Sequence, residues 1–171
     1  TRKESSAASD VYKRQPEPPM NSTAIHTAIP EDAALIAPLF DAYRQFYEQP
    51  ADADAALAFI TARLERGESV ILLARRPDGR ALGFCQLYPS FCSVLAAPIY
   101  VLYDLFVVPD ARRLGVGRAL LLAAEAHARA TGHARMDLTT ARNNLRAQAL
   151  YESLGWVRDE VFLTYARHLQ A

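Results

Sequence analysis

The stretch Arg112-Arg113-Leu114-Gly115-Val116-Gly117-Arg118-Ala119 constrains this chain more than any other. It lies between an apolar run, Tyr100 to Val108, and a Leu/Ala-rich run, Ala119 to Ala130. That order is strand, sharp turn, helix. The first N–H groups of a helix have no intrahelical partner and sit at the positive end of its dipole. Glycine lets a bulky anion approach that backbone closely. The turn is therefore suited to a phosphate or pyrophosphate, with Arg112, Arg113 and Arg118 able to add charge-assisted hydrogen bonds.

The rest of the chain sets the frame for that turn. Its 171 residues are 51% hydrophobic and 22% charged, enough for one domain with a real core. No apolar run approaches the roughly 18–20 residues of a membrane span, and a formal net charge of zero argues for neither a nucleic-acid nor a membrane partner. Cys85 and Cys92 are too few for a disulfide framework and lack CxxC spacing. A reduced, cytoplasmic setting is expected. His26, His127, His133 and His168 show no ligand spacing, so no metal is expected. Residues 1–20 are polar and carry both lysines, Lys3 and Lys13. They are expected to be a disordered tail foreign to the natural chain, with Met20 as its start and residues 21–171 as the domain.

Periodicity places the remaining elements. Ala24–Ala28 reads as a short strand. Leu35 to Tyr47 recur at helical spacing after Pro30-Glu31-Asp32, and a second helix is capped by Asp52 or Asp54 and ends near Gly67. Val70–Ala74, Ala81–Pro89 and Ile99–Val108 form an antiparallel meander, with Phe91 to Pro98 as a connection. The helix after the glycine turn stops at Gly132. Arg135–Thr139 should then lie parallel to Ile99–Val108, because the crossover runs through a helix. Arg146–Leu154 is a further helix, and Trp156-Val157 and Val161–Ala166 supply final strands.

Two common anion turns do not fit. A dinucleotide-binding turn needs a third glycine, where this chain has Leu120, and Asp137 is misplaced for a ribose. A P-loop needs Gly-Lys-Ser/Thr, but Gly117 precedes Arg118-Ala119. Arg112-x-x-Gly115-x-Gly117, following Leu105-Phe106-Val107-Val108-Pro109, instead resembles the acetyl-CoA motif of the Gcn5-related N-acetyltransferase superfamily, [QR]-x-x-G-x-[GA]. A second signature follows: Asn144 through Trp156 fits N-x-x-A-x-x-L-Y-x-x-x-G-[FW]. The element order from Ala24 to Leu169 also resembles that of the family.

The resemblance implies an α/β fold: a mixed, mainly antiparallel sheet of about seven strands with flanking helices, splayed between its fourth and fifth strands. It implies acetyl-CoA as co-substrate, with the pantetheine along Phe106, Val107 and Val108. The pyrophosphate would lie on N–H groups of Arg113, Leu114, Gly115, Val116, Gly117, Arg118 and Ala119. Arg112 holds the motif position and can brace the turn. Asn144 contacts the donor in the family, though Asn is equally suited to cap the helix it precedes. Tyr151 stands where the family places the acid that protonates the leaving thiolate, and aromatic packing is the other role open to it. Asp104 matches a site where several members hold an acid that binds the amine or relays its proton. It could also be a structural carboxylate.

Strand alternation puts Asp104 and Phe106 on one face, and an acid in so apolar a strand requires a reason. Thr139 and Thr140 can line the acetyl pocket, and the Val107 N–H can polarise the thioester carbonyl. Tyr43, Phe46, Tyr47 and Asp104 are the candidates to wall the amine, with Phe91 and the connection after it opposite. Those aromatics also have the helical spacing of a core. The expected activity is acetyl transfer to a primary amine of a small molecule, an amino acid or polyamine, by direct attack in a ternary complex. The alternatives are a protein N-terminal or lysine acetyltransferase and a non-catalytic acyl-CoA sensor. A homodimer is compatible with the family.

Overall fold

The protein is described by a computed structural model covering residues 23–169. The expectation for residues 1–20 falls outside that range, apart from which the elements run in the order read from the sequence. They are β1 (Ala24–Thr27), α1 (Ala33–Phe46), α2 (Ala53–Glu65), β2 (Val70–Arg75), β3 (Ala81–Cys92), β4 (Ala97–Val107), α3 (Val116–Ala130), β5 (Arg135–Leu138) and α4 (Leu145–Ser153). The sheet order is β1-β2-β3-β4-β5, antiparallel except for the β4–β5 pair, which the α3 crossover makes parallel. No helix among the described residues is long and apolar enough to cross a membrane.

The central strands are covered on both faces, which is why β2 reads Val-Ile-Leu-Leu-Ala rather than alternating with polar residues. One cluster joins Leu72, Leu87, Leu102, Leu120, Leu121 and Ala124 and places α3 and α4 on one side. The other joins Ile36, Phe40, Ile60, Ile71, Leu73, Phe84 and Phe106 and places α1 and α2 on the opposite side. Helix α2 starts on Asp52, whose carboxylate accepts from Ala55 N–H at 2.9 Å, while Asp54 stands in the first turn.

The strand β4 contains the detail that positions the site. Asp104 pairs with Gln86, but the next pair is Leu102 with Leu87. Tyr103 is thus an extra residue, a β-bulge. The bulge reverses the alternation of β4. Tyr100 and Leu102 belong to the α3 side, whereas Asp104 and Phe106 face α1 and α2. A second close approach lies beside it: a Cβ on Gly83 would come 2.5 Å from the Phe106 carbonyl oxygen, so only glycine fits there.

Three expectations are corrected. The sheet of the described residues has five strands, not about seven. Trp156-Val157 and Val161–Ala166 enter no ladder, and Val161, Phe162, Leu163 and Tyr165 are exposed. Asp159 Oδ1 accepts from the N–H groups of Val161 and Phe162, at 2.8 and 3.0 Å, a local turn that uses donors a ladder would need. Half of the segment from Phe91 to Pro98 is strand, and only residues 93–96 form the connection. Strands β3 and β4 pair out to Cys92–Ala97, and the exposed Phe91 lines neither cavity described below. Val108 lies past the end of β4, before Pro109.

Candidate functional site

The backbone opens a groove on the β5 side of β4. Strands β4 and β5 pair only from Ile99–Arg135 to Leu102–Leu138, whereas β4 runs on to Val107. A groove of about 460 Å³ occupies the gap. Leu105, Phe106 and Val107 form one wall, Thr139, Thr140, Asn144, Leu150 and Tyr151 the other, and the glycine turn closes the end.

That turn is built as its composition predicts. Gly115 caps α3 at φ +80°, a left-handed conformation natural to glycine. Arg113 adopts φ +67° without being glycine, so the turn also holds a strained residue. A Cβ on Gly117 would lie 3.4 Å from Leu150 Cδ2, at the limit of ordinary van der Waals contact between α3 and α4. The first helical hydrogen bond joins Ala119 N–H to Gly115 O at 2.9 Å. The N–H groups of Val116, Gly117 and Arg118 precede it without intrahelical partners. Ala119, expected among the anion donors, has its N–H engaged in the helix and does not line the groove. Neither do Leu114 and Val108.

The three arginines divide their roles. Arg112 turns back, its Nε donating to Val107 O at 3.1 Å and its guanidinium 5.9 Å from the centre of the Phe106 ring, so it braces turn against strand. Arg113 and Arg118 line the groove, with no side-chain hydrogen bond or ion pair among the described residues. Asn144 lines the groove too, and also caps α4 by accepting from Ala147 N–H at 3.3 Å. Tyr151, on α4, has its hydroxyl pKa pushed up to about 12 by burial, with Tyr47 adding to the shift. It is a neutral O–H donor at any physiological pH. Trp156 packs 6.1 Å from its ring and donates to Glu125 at 3.1 Å, tying the end of α4 to α3.

A second cavity, of about 770 Å³, lies over the other face of β4, between α1, α2 and the bulge. Tyr43, Tyr47 and Tyr103 line both cavities, so the two meet there. Phe46, expected beside the amine, lines only the first. Aromatic rings dominate the second cavity. Phe40 stacks on Phe59 at 5.1 Å, Tyr43 meets Tyr47 edge-on at 5.1 Å, and Tyr88 meets Tyr103 edge-on at 5.6 Å.

Asp104 is the one carboxylate lining this cavity, and only 4% of its surface is exposed. It ends a buried polar chain: Ser69 Oγ donates to Gln86 Oε1 at 2.8 Å, and Gln86 Nε2 donates to Asp104 Oδ2 at 2.6 Å. Burial raises the Asp104 pKa above the usual carboxylate value, and the hydrogen bond from Gln86, with the nearby Tyr43 hydroxyl, opposes the rise. Tyr43, whose hydroxyl donates to Tyr103 O at 3.2 Å, is itself raised by burial and by the Asp104 charge. The chain therefore holds a carboxylate with an elevated proton affinity in the second cavity, next along β4 to the junction residue Tyr103. Gln86 and Ser69 escaped the sequence reading. The signal for Gln86 was present, one amide inside Gly83-Phe84-Cys85-Gln86-Leu87, and it is the same signal that picked out Asp104. No group of three or more His, Cys, Asp or Glu that could hold a metal occurs among the described residues.

Comparison with known proteins gives this geometry a context. The model of the acetyltransferase (GNAT) family matches residues 36–156. The uncharacterized N-acetyltransferase YhfO of Bacillus subtilis is 48% identical over 147 residues, covering 86% of this chain and 98% of that protein. An aminoglycoside N(6')-acetyltransferase type 1 of Klebsiella aerogenes is 34% identical over 102 residues, 57% of this chain and 65% of that protein. The crystal structure of a probable acetyltransferase superposes with a TM-score of 0.81 at 40% identity, covering 86% of this chain and 99% of the other.

Proposed function

The chain belongs to the acetyltransferase (GNAT) family, and from that premise we propose that it moves an acetyl group from acetyl-CoA to the primary amine of a small molecule, by direct attack in a ternary complex. The carrying observation is the meeting of two cavities at Tyr43, Tyr47 and Tyr103, one ending on a helix N-terminus and the other holding a buried carboxylate.

The first cavity fits an acyl-CoA on its own chemistry. Three helix-end N–H groups and the side chains of Arg113 and Arg118 suit a pyrophosphate. The open edge of β4 at Phe106 and Val107 offers backbone groups to an amide-bearing chain, and Asn144 stands across the groove. When bound, acetyl-CoA supplies an acetyl group already activated as a thioester. The Val107 N–H is the donor placed to polarise its carbonyl.

Two proton transfers remain for the protein. An alkyl ammonium has a pKa of about 10.4, so deprotonating it at pH 7 costs about 4.6 kcal/mol. Asp104 attracts the ammonium and takes its proton, directly or through water, and its raised proton affinity narrows the gap between the two pKa values. Tyr151 gives its proton to the sulfur as the thiolate leaves, and its high pKa keeps that proton in place beforehand. The test is thiol release from acetyl-CoA over a panel of small amines. Release that depends on one of the amines is expected. Stabilisation by acetyl-CoA with no release from any amine identifies a sensor instead, and release with peptide N-termini or lysine peptides alone moves the acceptor to proteins.

A further inference from the structure

We propose that the acceptor is an amine that also carries a carboxylate, an amino acid or a close analogue, with its anionic group held by Arg63. This deepens the acetyltransferase reading and rests on it. Arg63, in the last turn of α2, lines the 770 Å³ cavity that Asp104 also lines. Its guanidinium carbon lies 4.7 Å over the Phe59 ring, so the side chain is clamped, and only 21% of it is exposed. Glu68 Oε2 comes within 2.7 Å of its Nε but off the N–H axis. The buried Nε thus has a neighbouring charge and no hydrogen-bond acceptor. Among the described residues no hydrogen bond from the Arg63 guanidinium to a protein acceptor is present. A guanidinium carries five N–H donors in a planar fork; Glu68 covers the Nε, and the four Nη donors, without a protein acceptor among the described residues, are the ones a ligand can complete.

The second arginine of the cavity differs. Arg44 Nη1 donates to Asp41 Oδ1 at 3.3 Å, and Asp41 also accepts from Gln45 and from Asp52 N–H, so Arg44 belongs to a closed structural network. Arg63 is therefore the side chain with donors to offer. An amine at Asp104, an apolar body among the rings and a carboxylate on the Arg63 fork match the charges on the walls. A cavity of this volume is in the range that encloses a molecule of that size. The same walls offer a polycation only one carboxylate, Asp104, and no second anion for its further charges.

Matched acceptors test this: L-phenylalanine against 2-phenylethylamine, 6-aminohexanoate against hexylamine, and kanamycin as the polycation. With the wild-type protein and acetyl-CoA, the carboxylate-bearing member of at least one pair is expected to have a kcat/KM about 10- to 100-fold above its partner, the range of a charge-assisted pair. Arg63→Gln should erase that advantage, chiefly through KM, while the plain amine changes less than about threefold. Arg63→Lys should restore part of it. Circular dichroism and Tm of both variants establish that they are folded, and Arg63→Lys retains the test if Arg63→Gln is not. Equal rates within both pairs, a preference for kanamycin, or an advantage untouched by Arg63→Gln would overturn the proposal and leave acetyl transfer standing. No thiol release from any acceptor would overturn both.

Discussion

The two faces of β4 solve different problems with different materials. On the β5 side, one edge and the end of the groove are backbone: an unpaired strand edge, a left-handed glycine and the free N–H groups of a helix end. On the α1–α2 side, the cavity is made of side chains: six aromatic rings, two arginines and one buried carboxylate on an amide support. On the proposed function, backbone geometry serves a ligand that does not change, and side chains set specificity for a variable one. The contrast teaches why a family can keep one donor while its members take many acceptors.

The largest expected effect falls in the groove on the β5 side. Tyr151→Phe should lower kcat by about 10²–10⁴-fold with acetyl-CoA binding unchanged, as read by steady-state kinetics and by the Tm shift with acetyl-CoA. Unchanged turnover would reduce Tyr151 to a packing residue. Asp104→Asn, on the other face, should lower kcat/KM by about 10²-fold or more and remove the limb of the pH–rate profile that rises as Asp104 loses its proton. Its effect on stability has the opposite sign. The folded-state pKa is raised, so the stabilisation that comes with the bound proton is complete below the unfolded value and is lost as pH rises through the folded one. The Asn variant escapes that loss. It should melt above the wild type at pH 7, with the difference closing below about pH 4, near the unfolded carboxylate value.

Two smaller changes sharpen the contrast. Gln86→Leu leaves Ser69 Oγ and Asp104 Oδ2 buried without their partner, at a cost of about 1–3 kcal/mol by denaturant unfolding. It should also push the Asp104 limb of the rate profile to higher pH, because a hydrogen bond that favours the carboxylate is gone. Gly115→Ala, on the backbone side, should cost about 1 kcal/mol from the left-handed conformation alone. It should weaken acetyl-CoA binding while leaving the pH–rate profile in place. If both variants alter the pH profile equally, the two faces are not separate devices.

The backbone face was the legible one. Gly115, Gly117 and the strand before them announce a turn and a helix end through local chemistry, and the two motifs carried the family resemblance. Asp104 was legible as a charge in an apolar strand. Gln86, Ser69 and Arg63 were not, because their roles come from pairing across β3 and β4 and from α2 lying over the sheet, contacts distant along the chain. The final strands show the converse. Val161, Leu163 and Tyr165 alternate as a strand would, but a strand needs a partner's edge, and a local turn at Asp159 competes for the backbone. Alternation alone also missed the extra residue at Tyr103, since a bulge has no fixed signature in a single strand.

That extra residue acts as a shift of reading frame. Before it, even-numbered side chains of β4 speak to one side of the molecule, and after it to the other. Were Tyr103 paired in the ladder instead of extruded, the first frame would run on, and Asp104 and Phe106 would face α3 rather than the α1–α2 cavity, conserved in identity and wrong in direction. A mutational history of this scaffold would therefore tolerate exchanges along β4 far better than changes in its length.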